Sequence, residues 1–337
     1  MKKVSIGGQA LIEGIMMKSP QKTAIAVREP SGNISVEYVD EKHIKDKFSF
    51  FGWPIIRGVV NFIESMIQGY KALMISADKS GLTQLEEEEE KRKREEKLAK
   101  KKAKAIEKGK PEPKEKDGKK KTDIIVSIVM VVGMVLGVAL AVFLFMWTPT
   151  ALFNGLKSLL GGNLSETLRP FFEGVLKIAI FIGYVAVVSL TKDIKRVFMY
   201  HGAEHKTIFC LENGLELNIE NAKNQSRFHP RCGTSFMILM LIVGILINLI
   251  IVTAFPSVTN LSILWVLIKI LMVPFICGVG YELIKICGRY DNPLTRAISA
   301  PGLWVQRLTT KEPDDQMLEV AIVSIKAVLP EDFEKAE

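Results

Sequence analysis

Cysteine and histidine are both scarce in this chain, with four of each in 337 residues. Cys210, Cys232, Cys277 and Cys287 lack the spacing of a disulfide framework, which argues against a small bridge-held secreted scaffold. Cys277 falls in an apolar run and reads as a small hydrophobe. The start, Met1-Lys-Lys-Val-Ser-Ile-Gly-Gly8, lacks the long apolar core of a signal peptide. No basic groove interleaved with aromatics and no nucleic-acid motif is present, so no nucleic-acid partner is expected from the net charge of +8.

What is abundant is segregated. Hydrophobic residues make up 48% of the chain and charged residues 24%. The positive surplus flanks the apolar runs, which favours a lipid bilayer with anionic headgroups as the partner. Four runs reach the roughly 20 residues needed to cross a membrane. They are Ile124 to Met146, Phe171 to Leu190, Phe236 to Phe255 and Ile263 to Ile284. Trp147 marks one interface, and residues 148–170 read as a short loop. Lys177, Asn248 and Glu282 interrupt the apolar pattern, Glu282 near a helix end. Charges are few, so the polar pathway of a transporter or channel is not evident.

Lysine and arginine set the expected orientation. Lys192, Lys195, Arg196, Lys206, Lys223, Arg227 and Arg231 lie between the second and third spans. Lys285, Arg289, Arg296 and Arg307 follow the fourth, whereas the opposite loops carry only Lys157 and Arg169. Four spans with both termini cytoplasmic fit this distribution. The expected class is a mainly α membrane protein. It comprises four transmembrane helices, a small N-terminal β-hairpin unit and a cytoplasmic helical metal-site segment.

The segments divide as 1–53, 54–80, 81–122, 123–191, 192–235, 236–286 and 287–337. In the first, Thr23–Arg28 and Asn33–Val39 read as strands around the turn residues Glu29-Pro-Ser-Gly32. In the second, a helix over 54–77 starts at Pro54. Arg57, Asn61, Glu64, Gln68 and Lys71 form a polar stripe that reads as a solvated face, on an amphipathic helix that lies in the interface, re-enters the membrane or packs its apolar sides inside the protein. The third is low-complexity Glu and Lys/Arg with i,i+4 pairs from Glu87/Lys91 to Glu90/Arg94, then Pro111 and Pro113; it reads as a tether. In the last, Pro301 to Arg307 looks interfacial and Asp314 to Leu329 reads as an amphipathic helix.

The chemistry concentrates between His201 and Cys232. His201-Gly-Ala-Glu204-His205 places two imidazoles four residues apart, on one face of a helix. Such a pair can bind Zn²⁺ at about 2.0–2.1 Å per nitrogen. The pattern is a reversed zincin, in which Glu204 can act as general base toward a water that the metal activates. His229-x-x-Cys232 supplies a second ligand pair. Four ligands would close a structural site; three would leave a position open for hydrolysis. A third reading has no metal and only hydrogen-bonding histidines. The helix is expected to continue from the second span, with Ile194, Phe198 and Ile208 on the histidine face. That placement asks for a protein cover, and the N-terminal unit is the natural one. Gln9 and Glu13 are candidates for support or substrate contact there, and Lys206 and Arg231 for stabilising an oxyanion or phosphate.

Five strings resemble the YqhQ family of bacterial membrane proteins. They are Gly7-Gly-Gln-Ala-Leu-Ile-Glu-Gly-Ile-Met-Met17, Arg57-Gly58 with its helix, and His201-Gly-Ala-Glu-His-Lys206. His229-Pro-Arg-Cys-Gly-Thr-Ser-Phe236 and Pro301-Gly-Leu-Trp-Val-Gln-Arg-Leu-Thr-Thr310 complete them. The resemblance implies a multi-pass membrane protein of unknown function with metal-dependent enzyme chemistry. A non-enzymatic scaffold or assembly factor with a structural zinc remains the alternative.

Overall fold

The structure is a computed structural model that describes residues 6–39, 49–85, 132–290 and 292–330, with 88, 92, 95 and 96. Most of the expected tether, with Pro111 and Pro113, and the first part of the first expected span, Ile124 to Val131, lie outside the described residues.

The N-terminal unit is larger than the expected hairpin. Strands β1 (Gly7–Leu11), β2 (Gly14–Lys18), β3 (Thr23–Arg28) and β4 (Ile34–Val39) form an antiparallel meander in sequence order. The β1–β2 pairing closes at Leu11 opposite Gly14, so Ile12 and Glu13 alone make the turn. That dipeptide carries no Asn-Gly signal. Glu13 sits at φ 51, a conformation a side chain rarely adopts. Tertiary contacts hold it there: Arg196 Nη2 donates to its carboxylate at 2.6 Å and Tyr200 Oη at 3.2 Å.

Strand alternation gives the sheet two apolar faces. Ile15, Met17, Ala24 and Ala26 pack with Tyr200, Ala203 and Ile208 of α4 (Lys192–Glu212) and with Leu318, Ala321 and Ile325 of α9 (Asp315–Val328). Leu11, Met16, Ile25 and Val27 pack on Ala72 of α1 (Ile56–Lys79). Asp314 caps α9 by accepting from the Met317 N–H, and this helix packs into the domain as its pattern predicts.

The polar stripe of α1 faces inward. Arg57 Nε donates to Glu282 at 2.6 Å, Asn61 Nδ2 donates to Tyr281 Oη at 2.8 Å, and Glu64 is buried. Gln68 accepts from Lys18 Nζ at 3.1 Å. The opposite face, with Met66, Ile67, Tyr70 and Met74, is exposed and apolar. Arg57, Asn61, Glu64 and Gln68 are thus turned toward protein rather than solvent, whereas Lys71 at the end of the stripe is exposed.

Among the described residues, four helices are long and apolar enough to cross a membrane, the character of a membrane protein. They are α2 (Val132–Leu159), α3 (Glu166–Val188, its first turn tight), α6 (Gly233–Ala254) and α7 (Ser262–Arg289). Two details correct the expectation. Residues 148–159 are helix, not loop. Pro149 has no N–H to donate, and the wider turn at Phe143–Trp147 lets the helix continue through it. The chain also breaks between α3 and α4, where Thr191 is extended, so the histidine helix is not a direct continuation of the span. Charges inside the apolar helices are more numerous than the expected intrusions. Glu173 of α3 and Lys269 of α7 meet at 2.9 Å, both fully enclosed.

Candidate metal centre

Helix α4 carries His201, Glu204 and His205, and the N-cap of α6 carries Cys232. His201 Nε2 lies 3.1 Å from Cys232 Sγ. A nitrogen from each histidine and the cysteine sulfur all fall within 4.8 Å of one another, so these three residues could hold a metal ion.

Backbone carbonyls orient both rings. His201 Nδ1 donates to Thr309 O at 2.8 Å, and His205 Nδ1 donates to Arg227 O at 2.6 Å. A carbonyl only accepts, so each Nδ1 carries the proton and each neutral ring keeps its Nε2 lone pair. The Thr309 contact depends on Gly202: a Cβ there would run into the Lys311 carbonyl, and Lys311 N donates to Phe198 O at 2.8 Å. At the sulfur, the Thr234 N–H points to Sγ at 3.4 Å.

His229 is turned elsewhere. Its Nδ1 accepts from the Arg231 N–H at 3.3 Å, and its Nε2 donates to Glu212 at 3.3 Å. Glu212 is in turn paired with Arg231. Burial holds the His229 imidazole at a pKa of about 4, opposed by the nearby Glu204 carboxylate. Burial likewise pushes His205 down.

Glu204 is 4% exposed and its Oε2 has no hydrogen-bond partner. Burial raises its pKa, against the pull of His201 and His229. The N-terminal sheet covers it: a Cβ on Gly8 would stand 2.9 Å from the Glu204 Cδ and Oε1. Glycine at 8 is what allows β1 to close over the carboxyl. Gln9 alternates to the other side of β1, its amide against Gly69 of α1. Glu13 holds Arg196 and Tyr200. Lys206 is a clamp: its Nζ donates to Lys223 O at 2.8 Å and to Gln225 O at 2.9 Å.

One central side chain lies inside a string that carries the resemblance, but nothing in the sequence points to its role. Gln306 of α8 (Pro293–Thr309) is fully buried and holds the ligand loop. Its Oε1 accepts from the His229 N–H at 2.8 Å, and its Nε2 donates to His229 O at 2.7 Å and Ser235 Oγ at 2.9 Å.

A family profile described as Protein of unknown function (DUF1385) matches residues 53–331. The chain belongs to this family. Uncharacterized protein YqhQ of Bacillus subtilis is 31% identical over 326 residues, covering 96% of this chain and 92% of the relative. The YqhQ resemblance of the five sequence strings thus holds across the chain. No solved structure matches it.

Proposed function

We propose that the chain is an integral protein of the bacterial cytoplasmic membrane that performs metal-dependent hydrolysis at the cytoplasmic face. His201 Nε2, His205 Nε2 and Cys232 Sγ are the ligands, and zinc suits a borderline set of two nitrogens and one sulfur. The observation that carries the reading is the pair of carbonyls, Thr309 O and Arg227 O, that leave both Nε2 atoms free to coordinate. Zinc in such a site supplies Lewis acidity and lowers the pKa of water. Glu204 adjoins the ligands with an unpartnered oxygen, and it receives the proton from the attacking water. The enclosure by β1 keeps bulk water from competing. Three ligands fit an open site better than four, because both His229 nitrogens are engaged.

Elemental analysis of the purified protein tests the ligands. One zinc per chain is expected, lost in His201→Ala, His205→Ala and Cys232→Ser and kept in His229→Ala and Glu204→Gln. Glu204→Gln should also fail to complement a strain lacking the protein. A scaffold held by a structural metal is the second reading, favoured by the burial of the site and the clamping of its loop by Lys206 and Gln306. Full complementation by Glu204→Gln would decide for it.

A further inference from the structure

A second site lies among the four long helices, apart from the His–Cys trio. A crevice of about 250 Å³ runs between α2, α3, α6 and α7. That is just under the range of about 300–1,000 Å³ usual for small-molecule sites. One wall follows α6 from Met237 to Asn248. At about 1.5 Å per residue that wall is roughly 16 Å long. Phe145, Phe181, Met240, Leu241 and Ile276 make the lining predominantly apolar. A predominantly apolar space whose lining follows α6 for this length fits one hydrocarbon chain.

Three polar side chains interrupt the lining: Lys177, Asn248 and Lys269. Lys269 is satisfied, since it pairs with Glu173 and donates to Thr150 Oγ1 at 2.6 Å. Lys177 makes no hydrogen bond among the described residues and shares the field of the same Glu173. Arg169, Lys177 and Lys269 share Glu173, and Arg169 is also paired with Glu166, so three cations against two carboxylates leave a positive charge over. Asn248 is 6% exposed, and its Oδ1 has no partner. A buried acceptor left unmade in an apolar wall is rare and calls for a donor.

We propose that this crevice binds a single-chain anionic amphiphile. Its hydrocarbon lies along α6, and its head meets Lys177 through a negative oxygen and Asn248 Oδ1 through an O–H. A phosphate head with a free hydroxyl, as in a lysophospholipid, offers both groups. A fatty carboxylate offers the charge alone.

The test uses the full chain in nanodiscs of zwitterionic phosphatidylcholine. Three diazirine-labelled probes of equal chain length are compared: lysophosphatidylglycerol, palmitate and uncharged monopalmitoylglycerol. Cross-linked peptides are mapped by mass spectrometry. Label is expected on the α3 and α6 segments around Gly174 and Gly244, competed by unlabelled lysophosphatidylglycerol. The charged probes should exceed the neutral one by about tenfold or more, and Lys177→Gln should abolish that preference. Gly244→Leu, which fills the crevice, should block all three. Stronger labelling by palmitate would support the site with a free fatty acid as its occupant. Label spread evenly over exposed apolar helix faces and not competed would overturn the proposal. So would a neutral probe that binds as well as the charged ones.

Discussion

Two of the buried carboxylates, Glu173 and Glu204, are treated in opposite ways. Glu173, between the apolar helices, is saturated: Thr150 Oγ1 donates to it at 2.9 Å, Trp265 Nε1 at 3.1 Å and Lys269 Nζ at 2.9 Å. Glu204, beside the histidines, is nearly as enclosed but keeps an oxygen without a partner. A saturated buried charge holds helices together. An unsaturated one is destabilising by itself and is expected where chemistry needs a group free to take a proton. The comparison fits an architectural role for the first carboxylate and the proposed proton-accepting role for the second.

One substitution applied at both places separates them. Glu173→Gln leaves the ammonium of Lys269 buried without its counter-ion, and loss of one partner of a buried pair costs about 3–5 kcal/mol. Thermal unfolding in detergent should show a correspondingly large fall, and Glu173→Gln with Lys269→Met should recover much of it. A pH titration makes a similar contrast on the histidine side. His229 has a folded pKa of about 4 against an ordinary 6.5, so the unfolded chain takes up the proton first. Its contribution, on the order of 3 kcal/mol, is complete above about pH 6.5 and drains away as the pH falls toward 4. His229→Gln should flatten that part of the stability profile.

A smaller effect is expected at the cover. Gly8→Ala drives a methyl group into the Glu204 carboxyl, and overpacking of this kind costs about 1–3 kcal/mol. Glu204→Gln in the Gly8→Ala background would show whether the clash depends on charge or only on volume. The smallest change belongs to Glu204→Gln alone, within about 1 kcal/mol in the melting experiment, because no partner is lost. A loss as large as that of Glu173→Gln would mean that both carboxylates are structural.

Several elements were legible in advance for identifiable reasons. Strand β3 and helix α9 carry strong local signals, in turn residues and in an N-cap followed by a helical stripe. The His201/His205 pair follows from helical periodicity alone, and Cys232 joins it as the spacing invited. The β1–β2 turn was not legible, because Ile12-Glu13 has no turn chemistry of its own and is held by Arg196 and Tyr200, far along the chain. The helix through Pro149 was hidden by the residue that usually ends one. Gln306 and the carbonyls of Thr309 and Arg227 were invisible for another reason: a backbone oxygen has no sequence signature, and a lone glutamine has no partner until the fold supplies it.

By itself the order of residues determined the four apolar helices, the existence of an N-terminal β unit and the histidines that share a helix face. Each of these depends on periodicity or run length, which are local properties. The fold alone decided which ring nitrogens stay free, that Gly8 and not Gln9 meets Glu204 under the expected cover, and that Glu173 meets Lys269. Those outcomes depend on groups distant in the chain being brought within hydrogen-bonding range, where burial makes an unmatched polar atom costly and a matched one cohesive.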